Sequence, residues 1–246
     1  LTDVTGVQTC ALPISQYWQI QTVESDGDVG RYTSLALDSG DDPHISYHDV
    51  TRDQLKYAHG YVSTGYWTRI FPTPTLGAGT WSSLALDSDG YPHISCYYYL
   101  DVTHSGLKYS WYDGDVWHTE DADSTLFAGQ YGTSLAIDAS SMPHVGYYLG
   151  VGGDLHYAWY GGSPWSTQAV DSAGDAGRHP SIALDSSNNP HVSYYANGDL
   201  FYASRNGSWG TPDVVDSSGT NQGAYTSLAL DSNNNPHIST VPTLRS

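Results

Sequence analysis

The chain has 246 residues, a 39% hydrophobic share and a net charge of −18, with 8 Lys and Arg against 26 Asp and Glu. That balance excludes the basic footprint a nucleic-acid backbone needs and disfavours anionic lipid surfaces as partners. No run of 18 or more apolar residues occurs, so no membrane insertion through a spanning helix is expected.

Residues 1–15 stand apart from the remainder of the chain. "GVQTCALPIS" at 6–15 resembles a translated sequencing-library adapter, so 1–15 reads as a non-native leader and 16–246 as one domain. Leu1 comes first and Met142 is the sole methionine, so the chain is expected to be processed or truncated. Two cysteines, Cys10 and Cys96, are too few for a disulfide or zinc framework, and unpaired thiols are expected.

From residue 17 the chain repeats itself. "YWQIQTVESDGDVGRYTS" at 17–34 matches "SWGTPDVVDSSGTNQGAYTS" at 208–227, which sets Trp18 where Trp209 stands. Next comes "SLALD", ending at Asp38 and recurring, with small changes, at Asp87, Asp138, Asp185 and Asp231, in steps of 49, 51, 47 and 46 residues. Its alternation is strand grammar, and its invariant central Ala (Ala36, Ala85, Ala136, Ala183, Ala229) suits a crowded innermost strand. A polar turn comes next, in which the Asp is placed to accept turn N–H groups. A second strand then opens on Pro-His. A Leu-x-Tyr strand (Leu55/Tyr57 and its equivalents) and a Trp-led strand (Trp67, Trp117, Trp165, Trp209) complete the unit.

Four short strands per unit of 40–50 residues predict an all-β, five-bladed β-propeller with four-stranded blades. The fifth unit stops after "PHIST" at 236–240, so the N- and C-terminal segments are expected to share the closing blade. Such sharing would remove two exposed sheet edges.

The candidate chemistry lies outside the repeated core. The Pro-His histidines (His44, His93, His144, His191, His237) are expected to be structural hydrogen-bonders, because a blade spacing of about 10 Å is too wide for a ring of them to share a metal. Their expected partner is the Ser of the first strand. The remaining histidines show no metal spacing, and the Asp/Asn turns match no calcium loop, so neither metal nor cofactor is expected. The loops entering each inner strand carry a ring apiece: Tyr32, Trp81, Tyr131, His179 and Tyr225, with Arg178 beside His179. Rings next to Asp, Asn and backbone amides suit sugar faces and hydroxyls, so these six residues form the candidate carbohydrate site. A plug filling the space between blades is the alternative reading of the same rings.

The motif S-x-A-[LI]-D-S-x-x-x-P-H-[IV]-S-Y resembles the repeat of secreted and cell-surface bacterial and archaeal proteins grouped with sialidase-like β-propellers. The resemblance spans 16–246. The unit layout is also similar to five-bladed lectins of the tachylectin type, which bind N-acetylated amino sugars. It implies an extracellular or cell-surface protein that binds a neutral or amino sugar without consuming it, as a lectin or adhesion module. A polysaccharide lyase using Arg178, His179 and a Tyr, a glycoside hydrolase, and a purely structural repeat are the alternatives. The chain departs from the sialidase pattern: it has no Asp-box "S-x-D-x-G-x-T-W" and only two glutamates, Glu24 and Glu120.

Overall fold

The structure, a computed structural model, describes residues 7–8, 12–13, 18–162, 164–218 and 222–241. All regular structure in these residues is β. Module 1 is the antiparallel sheet Val29–Leu37, Pro43–Asp49, Gln54–Tyr61 and Tyr66–Ile70. Module 2 is Ala78–Leu86, Pro92–Asp101, His104–Tyr112 and Trp117–Asp123. Module 3 is Ala128–Ile137, Pro143–Leu149, Asp154–Trp159 and Ser166–Asp171. Module 4 is Ala176–Leu184, Pro190–Ala196 and Asp199–Asn206, with Ser208–Trp209 and Asp213–Asp216 both paired to its third strand. Ser227–Leu230 and Pro236–Ser239 form a two-stranded fifth module.

Local chemistry sets the first hairpin of each module. Asp38 Oδ1 accepts the N–H groups of Gly40 at 2.8 Å and Asp42 at 2.9 Å. Asp87, Asp138, Asp185 and Asp231 cap their turns in the same way. The proline after each turn opens the second strand.

Successive modules pack face to face. Leu55, Tyr57, Leu84, Ile94 and Cys96 form the core between modules 1 and 2, with Ala36 packed against it. Parallel clusters fill the next two junctions around Leu107, Leu135 and Tyr147, and around Leu155, Ile182 and Tyr194. A repeated hydrogen bond also crosses each junction. Ser34 Oγ accepts from Leu84 N at 2.9 Å, Ser83 from Leu135 at 3.0 Å, Ser134 from Ile182 at 3.0 Å and Ser181 from Leu228 at 2.9 Å. A second tie joins the second strands of modules 3 and 4 to the outer strand before each: Tyr147 donates to Asp123 at 2.6 Å and Tyr194 to Asp171 at 2.7 Å. Module 2 has Cys96 at the corresponding position. Cys96 is a free, fully buried thiol, and burial pushes its pKa up to about 12. Cys10 lies outside the described residues.

Segment 21–24 docks its side chains on module 1 as an outer strand of a preceding module would. Val23 is buried in the module 1 core, Trp67 Nε1 donates to Gln21 at 2.9 Å, and Tyr47 and Lys56 both bond Glu24. Glu120 and Asp123 receive Trp165 and Tyr147 from module 3 in the same offsets.

The shared closing blade is not formed among the described residues. Thr22–Glu24 pairs with Val7–Gln8, and Trp18–Gln19 with Leu12–Pro13; neither pairs with Pro236–Ser239. The first strand of module 1 and the module 5 hairpin are consequently more exposed than their counterparts. Leu35 is 54% exposed, whereas its counterpart Leu84 is 6% exposed beneath module 1. The His237 side chain is 70% exposed, against 4% for His44. Among the described residues the fifth module has two strands where the others have at least four, and neither of the two reaches segment 22–24.

The serine bridges predict an ordered mutational result. Ser83→Ala and Ser134→Ala each leave an amide at a packed junction without its acceptor, and each should lower stability by about 1–3 kcal/mol in urea unfolding. Ser227→Ala, at the exposed equivalent position in module 5, should change stability by less than about 0.5 kcal/mol.

Candidate functional site

The six residues singled out by sequence sit on one recurring backbone device. Each inner strand opens with Gly-x-ring, and both the glycine and the ring residue have positive φ. The pairs are Gly30/Tyr32 (96° and 55°), Gly79/Trp81 (114° and 55°), Gly129/Tyr131 (90° and 66°), Gly177/His179 (98° and 51°) and Gly223/Tyr225 (89° and 53°). The ladder slips at this point in the first four modules. A bulge of this kind re-aims a side chain. A bulky residue in the left-handed region costs about 1–3 kcal/mol and persists only where its surroundings enforce it.

The enforcement is visible. A Cβ on Gly79 would lie 2.8 Å from Leu55 Cα, and one on Gly223 2.9 Å from Leu200 Cα, because the preceding module's backbone presses on the glycine. The carbonyl of the ring residue is then caught by a hydroxyl one module on. Ser82 Oγ donates to Tyr32 O at 2.7 Å, Thr133 Oγ1 to Trp81 O at 2.8 Å and Thr226 Oγ1 to His179 O at 3.1 Å. Pro180 holds the matching position in module 4 and has no hydroxyl to reach Tyr131.

The rings converge. Tyr32 and Trp81 have centroids 4.7 Å apart, Trp81 and His179 5.4 Å, and His179 and Tyr225 4.1 Å. Trp81 and His179 belong to modules 2 and 4, so the line of rings passes over module 3 and identifies the hub about which the modules are arranged. Tyr131 stands beside it, against Tyr148 at 5.6 Å. Arg178 lies over Tyr131 at 4.7 Å and over Tyr148 at 5.5 Å, and its guanidinium pairs with Asp175 at 2.8 Å. Burial, aided by the Arg178 charge, holds the His179 pKa below the ordinary imidazole value.

Tyr32, Trp81 and Tyr131 line a hollow of about 390 Å³ together with Asp53, Tyr97, Tyr99 and Gln130. Sequence reasoning missed the last four. Asp53 and Gln130 supply the carboxylate and amide that hydroxyl groups need beside the rings, and Asp53 is steadied by His48 Nε2 at 3.1 Å.

At the far end of the inner strands lie clefts between modules. The cleft between modules 1 and 2 has a volume of about 560 Å³ and includes Asp38, His44, His59, Tyr61, Tyr91 and Trp117 in its lining. The Pro-His histidines stand here, and their partners differ from the expected serine. His44 Nδ1 bonds Tyr57 Oη at 2.6 Å and His144 bonds Tyr157 at 2.5 Å; His93 and His191 bond Tyr109 and Tyr202. Each Nε2 faces the Asp of its own turn. The serine is unavailable because it serves the neighbouring module.

No family model matches this chain, and no curated protein matches it. Solved structures do. AofleA from Arthrobotrys oligospora is 13% identical, with a TM-score of 0.61 over 93% of this chain and 71% of that one. A protein of unknown function from Dyadobacter fermentans is 10% identical, with a TM-score of 0.65 over 90% and 79%. An Aleuria aurantia lectin variant in complex with α-methyl-L-fucoside is 14% identical, with a TM-score of 0.57 over 91% and 84%. At these identities the likeness is one of fold, and that fold is an all-β, propeller-like arrangement of antiparallel sheets.

Burial holds the pKa values of His93 and His144 below 6.5, against the opposing pull of Asp87 and Asp138. The unfolded chain therefore binds more protons than the folded one below pH 6.5. These two groups contribute stability that is complete above pH 6.5 and is lost as pH falls through that value. The urea midpoint should be lower at pH 5.5 than at pH 7.5; an equal or higher midpoint would contradict the assignment.

Proposed function

We propose that this chain is a non-catalytic, glycan-binding propeller module whose sugar site is the mouth formed by Tyr32, Trp81, Tyr131, Arg178, His179 and Tyr225. One observation carries the reading. Rings placed by a repeated, strained left-handed bulge converge, and three of them, Tyr32, Trp81 and Tyr131, line a hollow that also holds Asp53 and Gln130. Strain maintained in five copies of one position is more than a plug between modules requires. Ring faces stack on the C–H faces of a pyranose, and the carboxylate and amide meet its hydroxyls.

A binding role also fits the disposition of the acids. Glycoside hydrolysis is ordinarily run by a pair of free carboxyl groups. Both glutamates are committed elsewhere: Glu24 to Tyr47 and Lys56, and Glu120 to Trp165. Arg178, the cation of the lyase alternative, is already neutralised by Asp175. The preferred ligand class is a neutral or amino sugar, since Asp53 disfavours an acidic one. Action outside the cell or on its surface belongs to the same reading, and no helix among the described residues is long and apolar enough to cross a membrane.

A glycan array of neutral and amino sugars tests this, with α-methyl-L-fucoside as the first soluble probe, because a lectin of this fold binds it. A sugar retained on the array should bind in calorimetry and be recovered intact. Trp81→Ala should weaken binding at least tenfold, equivalent to about 1.4 kcal/mol, with the sheet signal in circular dichroism preserved. Val214→Ala, on the exposed outer strand of module 4, should leave affinity unchanged. No retained sugar, or undiminished affinity in Trp81→Ala, would refute the assignment.

A further inference from the structure

The cleft between modules 1 and 2 contains a donor set that the other modules do not repeat among the described residues. Asp38, His44 and His59 each offer one ligand atom, and these atoms lie within 4.8 Å of one another. His44 Nδ1 is occupied by Tyr57, which leaves Nε2 directed at Asp38 Oδ2 at 3.5 Å. That separation exceeds a normal N–H···O bond, and His44 Nε2 is buried without a hydrogen-bond partner in a side chain only 4% exposed. His59 Nε2 is likewise buried and unpartnered. The His59 ring stacks on that of His44 at 4.2 Å.

The repeat supplies an internal comparison. Every module has the Asp–His pair, at 3.4–3.7 Å in the other four. The residue paired with the histidine across the second and third strands differs. His44 faces His59, whereas His93 faces Trp111, His144 faces Trp159 and His191 faces Ser204. Of these four modules, only module 1 brings an imidazole to a position that elsewhere holds indole or a hydroxyl. Two imidazoles and a carboxylate form a donor set suited to a first-row transition ion.

We propose that Asp38 Oδ2, His44 Nε2 and His59 bind one divalent transition ion of the zinc class. An ion with bonds of about 2.0–2.1 Å places its donors about 3.4 Å apart in tetrahedral geometry. His59, which is partly exposed at the cleft wall, closes that gap by a turn of its ring away from the His44 stack. The Tyr57 hydroxyl orients the His44 ring, as groups behind a metal-bound imidazole do. The Gly40 and Asp42 amides hold Asp38 through Oδ1 and leave Oδ2 for the ion. The fourth position opens on the cleft beside Tyr61, Tyr91 and Trp117, where water or a small oxygen ligand completes the shell. Asp38 lies six residues from Tyr32 along one strand, roughly 20 Å away, so this site is separate from the proposed sugar mouth.

The test uses the whole chain, treated with chelator and dialysed. Zinc chloride titrated at pH 7.5 should bind with one tight equivalent, and cobalt chloride should produce the visible bands of a tetrahedral ion that zinc then removes. His59→Phe retains an aromatic ring for the stack and should weaken zinc at least a hundredfold. Asp38→Asn retains Oδ1 for the turn and should weaken it at least tenfold. Trp81→Ala should bind zinc as the parent chain does. Absence of a zinc equivalent and of cobalt bands in the parent chain would overturn the site, as would undiminished zinc affinity in folded His59→Phe.

Discussion

The hydrogen bond from one inner-strand amide (Leu84, Leu135, Ile182, Leu228) to the serine hydroxyl of the module before it organises this molecule. It recurs at four junctions with lengths of 2.9–3.0 Å. Apolar burial supplies the larger share of the packing energy, but burial is non-directional and would tolerate sliding of one sheet over the next. The serine bridge sets the register. With register set, the Leu-x-Tyr backbone reaches the glycine of the next module at Gly79, Gly177 and Gly223, and each junction has a fixed offset.

That offset produces the aromatic mouth. The glycine cannot carry a side chain, the following ring residue is driven to positive φ, and hydroxyls from the next module hold three of the five ring carbonyls. The rings are thus aimed by backbone pairing between modules and not by their own packing, so their chemistry can vary from Tyr to Trp to His without loss of the fold. The far ends of the modules obey the opposite logic. There the Asp–His–Tyr chain is nearly invariant and structural, and variation is confined to the residue across from the histidine. One repeat therefore has a variable rim at each end: rings at the hub mouth and the His59, Trp111, Trp159, Ser204 series at the clefts.

The sheets were legible in the sequence because each strand is bounded by its own local signals: the Asp turn, the Pro-His opening, the Leu-x-Tyr alternation and the Trp. Cys96 as a free thiol was legible from the cysteine count. The ring residues were legible because Gly-x-ring repeats in phase with the strands. The features that escaped sequence reasoning depend on contacts between modules. The serine of the first strand looked like the natural partner of the histidine in the adjacent strand, but it turns to the next module and the Leu-x-Tyr hydroxyl takes its place. The match between 17–34 and 208–227 predicts an outer strand for a closing blade shared with module 5; among the described residues segment 21–24 packs its side chains on module 1 and pairs with no strand of module 5, because sequence similarity carries no information on whether modules 1 and 5 touch. Asp53 lies outside the repeated device and Gln130 is its variable residue; only the packing of modules 1, 2 and 3 brings them to one hollow with Trp81.

Amide hydrogen exchange, measured at individual residues, tests the central claim most directly. The amides of Leu84, Leu135 and Ile182, held by serine bridges at packed junctions, should exchange only through global unfolding. The amide of Leu35, at the equivalent position with no serine bridge among the described residues, should exchange orders of magnitude faster. Equal rates at Leu35 and at these three positions would contradict the account.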